Sequence, residues 1–188
     1  LNMNLKINKI LDFWFAETSD EQKFKKDLKF DQVIKDKFLS DYELASQNKL
    51  DDWQQTDRGC LALIILLDQF SRNLFRESRK AFEQDEKSRS VLLKIIANNF
   101  LDTMNENERF FALLPLIHSE DISDHEKAYE LMEKYLRNHS GIDKIKKFWL
   151  DHTAAIKRFA RYPHRNKVLN RVSSEEEIEF LNSPNSSW

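Results

Sequence analysis

Glycine and proline are scarce in this chain, and their scarcity argues against folds that depend on many tight turns. The 188 residues include two glycines and three prolines. Hairpin turns and phosphate-cradling loops both use glycine for backbone geometries that other residues adopt poorly. The composition therefore favours helices joined by short connections over a β architecture or a glycine-rich nucleotide loop.

Cysteine and long apolar runs are also lacking. Cys60 is the single cysteine, so it cannot form an internal disulfide, and we expect it to act as a small buried residue. The longest uncharged apolar run stops at Asp68, well short of the roughly 20 residues that span a membrane. The first ten residues carry no apolar core typical of a signal peptide. We expect a cytoplasmic protein without a transmembrane helix.

Charge of one sign is not in excess either. The chain has 30 basic and 32 acidic side chains, which give a net charge of -2. No global field draws it to nucleic acid or to an anionic membrane, and neither is an expected partner. What the chain does have is 40% hydrophobic residues, including 14 Phe and 4 Trp. That content predicts one folded domain over residues 1–188, with 182–188 as a loose tail whose Trp188 could dock.

Apolar residues recur at intervals of three and four along most of the chain, as in amphipathic helices. This spacing predicts an all-α protein of about eight helices, packed as consecutive antiparallel pairs. Residues 17–29 are interpreted as a connection. Predicted helix starts are Asp31, Thr56, Asp85 and the capping-box pairs Asn105 with Glu108, Ser123 with Glu126 and Ser174 with Glu177. Pro115 should bend or end its helix near Ile117, and a long helix over 142–162 should stop before Pro163.

The stretch from Arg58 to Arg76 is the centre of this pattern. Its first half is apolar on all sides, which predicts burial. In its second half one helical face is polar. Asp68 and Arg72, four residues apart, can form a salt bridge, and Gln69 and Asn73, also four apart, can form a side-chain hydrogen bond. The candidate ligand-binding residues on this face are Asp68, Gln69, Arg72, Asn73 and Arg76. Alternatively, they form a structural network.

A second polar segment follows the predicted bend at Pro115. It consists of His118, Ser119, Glu120 and Asp121, all of them candidate ligand-binding residues. His118, Asp121 and His125 are three, four and seven residues apart, and side chains at this spacing could bind a divalent ion. The predicted helix start at Ser123 argues against a shared face, however, and we expect no metal and no cofactor.

A third polar segment ends the long helix and holds Arg161, His164, Arg165 and Asn166. Neighbouring arginines should disfavour protonation of His164, which could then act as a general base beside Glu120 or Asp121. The catalytic candidates, if there is a reaction, are His118, Glu120 and His164. The alternative is that His164 and Asn166 cap helices.

Five ordered motifs together resemble the bacterial domain of unknown function 924 family. They are DFWF at 12–15, LDDW at 50–53, RGCLALIILLDQFSRNLFR at 58–76, LPLIHSED at 114–121 and RYPHRN at 161–166. The chain departs from the family at Ser71, often proline there, and at Ala16, commonly glycine. The resemblance implies a tetratricopeptide-repeat-like, right-handed superhelix of antiparallel helix pairs. It implies no reaction, because the family has no settled activity.

The leading hypothesis is that the three polar segments meet in one pocket. There they would bind a small anionic molecule or an acidic peptide end. A hydrolase using a histidine and a carboxylate, possibly with a metal, is one alternative, and a protein-interaction scaffold whose motifs are purely structural is another. The sequence does not determine the oligomeric state.

Overall fold

The protein is helical throughout the part of the chain that can be described. The computed structural model describes residues 2–188, and every regular element in that range is a helix. The all-α prediction is confirmed. The α-helices are α1 Met3–Asp12, α2 Asp20–Phe24, α3 Leu28–Ser46, α4 Asp57–Ile64, α5 Ser71–Leu74, α6 Asp85–Ala97, α7 Glu106–His118, α8 Ile122–Tyr135, α9 Ile142–Phe159 and α10 Glu175–Leu181.

Shorter helical segments lie between these. Two are π-helical, Phe13–Glu17 and Ile65–Phe70, and four are 3₁₀ turns, at Asp51–Gln55, Arg79–Ala81, Phe100–Thr103 and Pro163–Arg165. Together they give more helical segments than the eight or so expected. Among the described residues, no helix is both long and apolar enough to pass through a membrane.

The chain divides into two compact units. Unit 1 runs up to Arg76 and includes Lys80–Pro115, and unit 2 comprises Glu77–Arg79 and Leu116–Trp188. Each unit is described by itself, and the single-domain expectation stays a prediction.

The core of unit 1 is built around aromatic rings that the π-helical segments supply. Phe13 and Trp14 come from the first segment and Phe70 from the second. The ring of Phe70 stacks on Phe38 at 4.9 Å and meets Trp14 edge-on at 5.6 Å. A π turn inserts one residue into a helical ladder and rotates the side chains that follow. Phe70, the last residue of the second π-helical segment, is fully buried in this core.

The start of α4 confirms a local prediction. The Thr56 side chain accepts a hydrogen bond from the Gly59 backbone N–H, as expected of an N-cap. Position 59 also requires glycine, because an added Cβ would lie 2.0 Å from the Trp53 carbonyl oxygen. Cys60 is buried, and burial raises the pKa of its thiol to about 11. It is a packing residue, as predicted.

Two of the three predicted capping boxes are confirmed. Asn105 and Glu108 exchange backbone-to-side-chain hydrogen bonds of 3.0 and 3.1 Å. Ser174 and Glu177 form the same reciprocal arrangement at α10. The third is wrong, because the Asp121 carboxylate, two residues before Ser123, caps α8 instead.

Other helix starts differ from the sequence prediction. A capping box at Ser19 opens α2 inside the expected connection. Asp27 rather than Asp31 caps α3, and α6 has Gln84 at its cap, with Asp85 as the first helical residue. Asp31 and Asp85 instead point their carboxylates at arginines, as described below.

Unit 2 contains the end of α7, then α8, α9 and α10. Pro115 lies inside α7, which ends at His118. α9 ends at Phe159, earlier than expected, because Ala160 takes the left-handed conformation with φ 56°. Tyr162 packs with Ala155 and Ile156 in a small buried cluster that Ile122 and Phe180 border.

Candidate functional site

The polar face of the central stretch lies in unit 1, where it is bound to acidic residues of other helices. Asp31, on α3, accepts hydrogen bonds from Asn73 at 2.8 Å and from two nitrogens of Arg76. Only 11% of the Asp31 side chain is exposed. A bidentate arginine fork on a largely buried carboxylate is a strong, oriented interaction. Arg76 is therefore engaged within the protein.

Arg72 forms a second fork in unit 1. Its two terminal nitrogens lie 2.9 and 3.1 Å from the carboxylate oxygens of Asp85. It also donates to the Asp68 carbonyl oxygen at 2.7 Å and lies 3.7 Å from the fully buried Asp68 carboxylate. The predicted ion pair between Asp68 and Arg72 is confirmed.

The predicted hydrogen bond between Gln69 and Asn73 is wrong. Gln69 donates to the Asp68 carboxylate at 2.8 Å, and Asn73 donates to Asp31. The prediction assumed about 100° per residue, but Ile65–Phe70 is π-helical. The wider turn changes which side chains share a face.

The second and third polar segments both lie in unit 2, where they meet at the carboxyl end of α7. The last carbonyl groups of a helix have no partner within the helix. Here the Tyr162 hydroxyl donates to the Ile117 carbonyl oxygen, and Arg165 donates to that of His118 at 3.0 Å. His125 Nε2 lies 2.8 Å from the Ser119 carbonyl oxygen. These side chains cap α7, and the positive charge of Arg165 suits the negative end of the helix dipole.

Glu120 joins the same two segments through an arginine that sequence reasoning missed. Its carboxylate accepts two hydrogen bonds from Arg171, at 2.7 and 2.9 Å, and one from the Tyr162 backbone N–H at 2.8 Å. Burial by itself would raise the pKa of Glu120, but these hydrogen bonds outweigh it and lower the pKa. Glu120 is therefore a poor proton acceptor.

Arg161 and Asn166 are also held inside unit 2. Arg161 forms a fork with Glu177 at 2.7 and 2.8 Å, and Asn166 contacts Ser173 at 3.0 Å and Arg171 at 2.9 Å. The hydrogen bonds from Arg161 lower the pKa of Glu177 to about 2. No spacing signal indicates Arg171, and the sequence predicts Glu177 only as part of a capping box.

Two histidines, His152 and His164, lie beside Tyr162 in unit 2, and a third, His118, lies beside His152. His152 lies 5.7 Å from the Tyr162 ring, His118 lies 6.4 Å from His152, and His164 lies 5.6 Å from Tyr162. We call these four residues the histidine cluster. Its members come from the end of α7, from α9 and from the turn after α9. His118 and His164 are half-buried, whereas His152 and Tyr162 are buried.

His152 is neutral in this cluster. Burial lowers the pKa of its imidazole to about 2, and the electrostatic effect of the nearby His118 adds to it. Nδ1 lies 2.8 Å from the Phe148 carbonyl oxygen, so Nδ1 carries the proton, and Nε2 is an acceptor. His152 was not among the candidate residues, because no motif or spacing pattern singled it out.

His125 and Asp121, the other two residues of the metal hypothesis, have structural partners. The carbonyl of Ser119 requires Nε2 of His125 to carry a proton, so Nδ1 accepts from Thr153 Oγ1 at 2.8 Å. Burial lowers the pKa of His125. Asp121 caps α8, and its own N–H donates to Ser119 Oγ. Over residues 2–188, no three His, Cys, Asp or Glu side chains are arranged to hold a metal ion.

The predicted site residues thus fall into two groups. The five on the central stretch lie in unit 1, and the eight from the second and third segments lie in unit 2. Convergence of the second segment with the third is observed. The meeting of all three segments in one pocket stays a prediction.

Comparison with known proteins adds two findings. A family model described as "Bacterial protein of unknown function (DUF924)" matches residues 10–185. The chain is also similar to a protein of unknown function, ATU0120, from Agrobacterium tumefaciens, whose structure has been solved. The two share 30% identity over 96% of this chain and 99% of the other, with a TM-score of 0.86. Among curated proteins there is no match.

Proposed function

We propose that this chain, which belongs to the DUF924 family of bacterial proteins of unknown function, binds a small anionic ligand at the histidine cluster of unit 2. One observation carries the proposal: imidazoles from separate stretches lie together, His152 and His164 beside the buried ring of Tyr162 and His118 beside His152. Two of those imidazoles, His118 and His164, are half-buried and so reachable from solvent. Pockets with a few convergent polar groups against aromatic walls are typical ligand sites.

The local charge supports an anion. Arg161 is neutralised by Glu177, and Arg171 by Glu120, each through a two-point contact. Arg165 donates to the His118 carbonyl oxygen, lies over the Tyr162 ring at 4.7 Å and is among the charges that lower the pKa of Glu120. Its positive charge beside the Tyr162 ring favours a negatively charged ligand.

The arginines first considered as anion receptors are better explained as structural. Arg72, Arg76 and Arg161 each form a fork with a carboxylate of the chain itself. An external anion would have to displace that carboxylate. The proposed ligand contacts are therefore the histidines and not these arginines.

The other expectations stay proposals. A hydrolase using His118 or His164 is not favoured by Glu120, since the lowered pKa of that carboxyl makes it a weak base. A protein-interaction scaffold, a cytoplasmic location and the right-handed tetratricopeptide-like superhelix are likewise proposals. An acidic peptide end is one form that the anion could take.

Imidazole nitrogen NMR during titration with acetate and with inorganic phosphate tests the proposal. The resonances of His118 and His164 should shift together and saturate. His139, whose Nδ1 accepts from the Gly141 N–H in the turn between α8 and α9, is the internal reference and should not move. His118→Gln and His164→Gln should each weaken binding about tenfold, since a hydrogen bond to a charged group contributes about 1.4 kcal/mol or more.

His139→Gln is the matched control and should bind as the unmodified protein does. Shifts of equal size at all three histidines would indicate nonspecific binding. Unchanged affinity in both the His118 and His164 variants would exclude this site.

A further inference from the structure

The side chain of Trp188 lies on the histidine cluster. Its indole stacks over the His152 imidazole with ring centres 4.2 Å apart and planes tilted by 32°. It also meets His164 edge-on at 5.5 Å and Tyr162 at 5.7 Å. Stacked and edge-to-face contacts at these distances are favourable ring geometries. The cluster is therefore a surface that accepts a flat aromatic ring.

Trp188 covers the cluster without being buried in it. His152 and Tyr162 are 2% and 0% exposed, whereas Trp188 keeps 36% of its surface in solvent. The other tryptophans, Trp14, Trp53 and Trp149, are 0 to 2% exposed. The indole therefore lies between the two buried rings and the solvent, with one side open.

The segment that carries Trp188 is anchored just before it. The Ser186 hydroxyl donates to the Leu181 carbonyl oxygen at 3.1 Å, and Ser186 is 8% exposed. Asn185 adopts a left-handed backbone with φ 58°. The anchor holds the tryptophan near the cluster, while the ring contacts alone hold the indole on it. Loss of those contacts frees the indole without unfolding the anchor.

We infer that the ligand of the histidine cluster is a planar aromatic acid, whose ring takes the place of the Trp188 indole while its carboxylate meets His118 and His164. This inference rests on the proposed function and specifies its ligand class. The neutral imidazole of His152 and the Tyr162 ring provide two flat faces for stacking. The half-buried histidines can donate ring N–H groups to a carboxylate, and the Arg165 guanidinium over the Tyr162 ring provides positive charge, so a ring and an acid in one molecule match both features.

Competition with Trp188 makes a quantitative expectation possible. A ligand that binds only when the indole has left has its apparent affinity reduced by the fraction of molecules in the open state. With the indole docked in about nine molecules of ten, removal of the indole raises ligand affinity about tenfold. A ligand too small to need the indole's place is not affected in this way.

The test compares the unmodified protein with Trp188→Ala by calorimetric titration. The probes are benzoate, cyclohexanecarboxylate as an acid with a ring that is not planar, benzamide as a planar ring without charge, and acetate as an acid without a ring. Trp188→Ala should bind benzoate about tenfold more tightly and acetate equally well. Cyclohexanecarboxylate and benzamide should bind both proteins more weakly than benzoate does.

A second readout uses the fluorescence of Trp188 itself, obtained as the difference between the unmodified protein and Trp188→Phe. Benzoate should shift this emission to the red as the indole leaves the cluster for solvent, and acetate should not. Val172→Ala, at a position 89% exposed in the same unit, controls for substitution effects.

The outcomes separate the two proposals. If acetate and phosphate bind through His118 and His164 but Trp188→Ala leaves benzoate affinity unchanged or weaker, the aromatic ligand class is wrong and the anion site stands. If none of the acids perturbs His118 and His164 in either protein, both proposals are wrong. Equal affinity for benzoate and cyclohexanecarboxylate in Trp188→Ala would also overturn the requirement for a planar ring.

Discussion

Replacement of His152 by glutamine is expected to make the fold less sensitive to mild acid. His152 is 2% exposed, and burial lowers the pKa of its imidazole to about 2, with the electrostatic effect of His118 as a further cause. A histidine in an unfolded chain has a pKa of about 6.5. Between these two values the unfolded chain binds a proton that the folded protein does not. The free energy of unfolding therefore falls as the pH falls below about 6.5.

The size of this effect follows from proton linkage. Well below the unfolded pKa, one proton of difference changes the free energy of unfolding by about 1.4 kcal/mol per pH unit. Integrated from pH 8 to pH 5, the contribution of a single histidine is about 2 kcal/mol. Carboxyl groups in the unfolded chain titrate mostly below this range, at about 4. Because a domain is stable by only about 5–15 kcal/mol, the loss is measurable.

Urea unfolding at a series of pH values between 8 and 5 measures this fall in the free energy of unfolding. The variant His152→Gln loses ring packing and should be less stable than the unmodified protein at pH 8. Its stability should nevertheless fall by about 2 kcal/mol less on going to pH 5. Leu150→Gln, at a position 61% exposed on the same helix, is a control without a titrating group and should keep the slope of the unmodified protein.

If the free energy of unfolding changes with pH in parallel for His152→Gln and the unmodified protein, the reasoning is refuted. That result would mean that His152 has the same pKa in the folded and the unfolded protein. The groups that face or act on His152 include His118, His125, His164, Tyr162, Phe148 and Trp188. None of them is altered by the substitution, so the difference in slope reports the proton of His152.

Three further predictions concern the networks that hold the motifs. Tyr162→Phe leaves the Ile117 carbonyl at the end of α7 without its hydroxyl donor, and urea unfolding should show a loss of about 1–3 kcal/mol; an unchanged midpoint would contradict this cap. Glu177, whose pKa Arg161 lowers to about 2, stabilises the fold above its unfolded pKa of about 4.3 and loses that effect as the pH falls towards 2; Glu177→Gln should flatten thermal stability across that window, and an unaltered profile would count against the pair. Arg72→Met removes the cation beside the fully buried Asp68 carboxylate and should cost about 3–5 kcal/mol in the free energy of unfolding; a loss below 1 kcal/mol would show that Asp68 is satisfied without Arg72.

Three helix starts were predictable from local signals. Thr56, the Asn105–Glu108 pair and the Ser174–Glu177 pair act within three residues of sequence. A capping side chain and the N–H that it accepts from are close in any conformation that begins a helix. The failure at Ser123 has the same basis, since the Asp121 carboxylate was an equally good local acceptor.

Side-chain pairing within the central stretch was predicted correctly once and incorrectly once. Asp68 and Arg72 are close, whereas Gln69 and Asn73 are not bonded to each other. An ideal helix was assumed, but packing of Phe70 among Trp14 and Phe38 accompanies a π turn. Which side chains share a face here goes with contacts to aromatic rings from distant parts of the chain, and the local sequence does not specify those contacts.

Sequence alone determined that the chain is all-α, where several helices begin and which segments are polar against an apolar background, because these depend on spacing of a few residues. Tertiary structure decided which charges pair: Arg76 with Asp31, 45 residues apart, and Arg171 with Glu120, 51 residues apart. It also decided that His152 and Trp188 share a stack. The chain offers 30 basic and 32 acidic side chains, and the choice among so many possible partners is made by helix packing, which brings distant groups to within hydrogen-bonding distance.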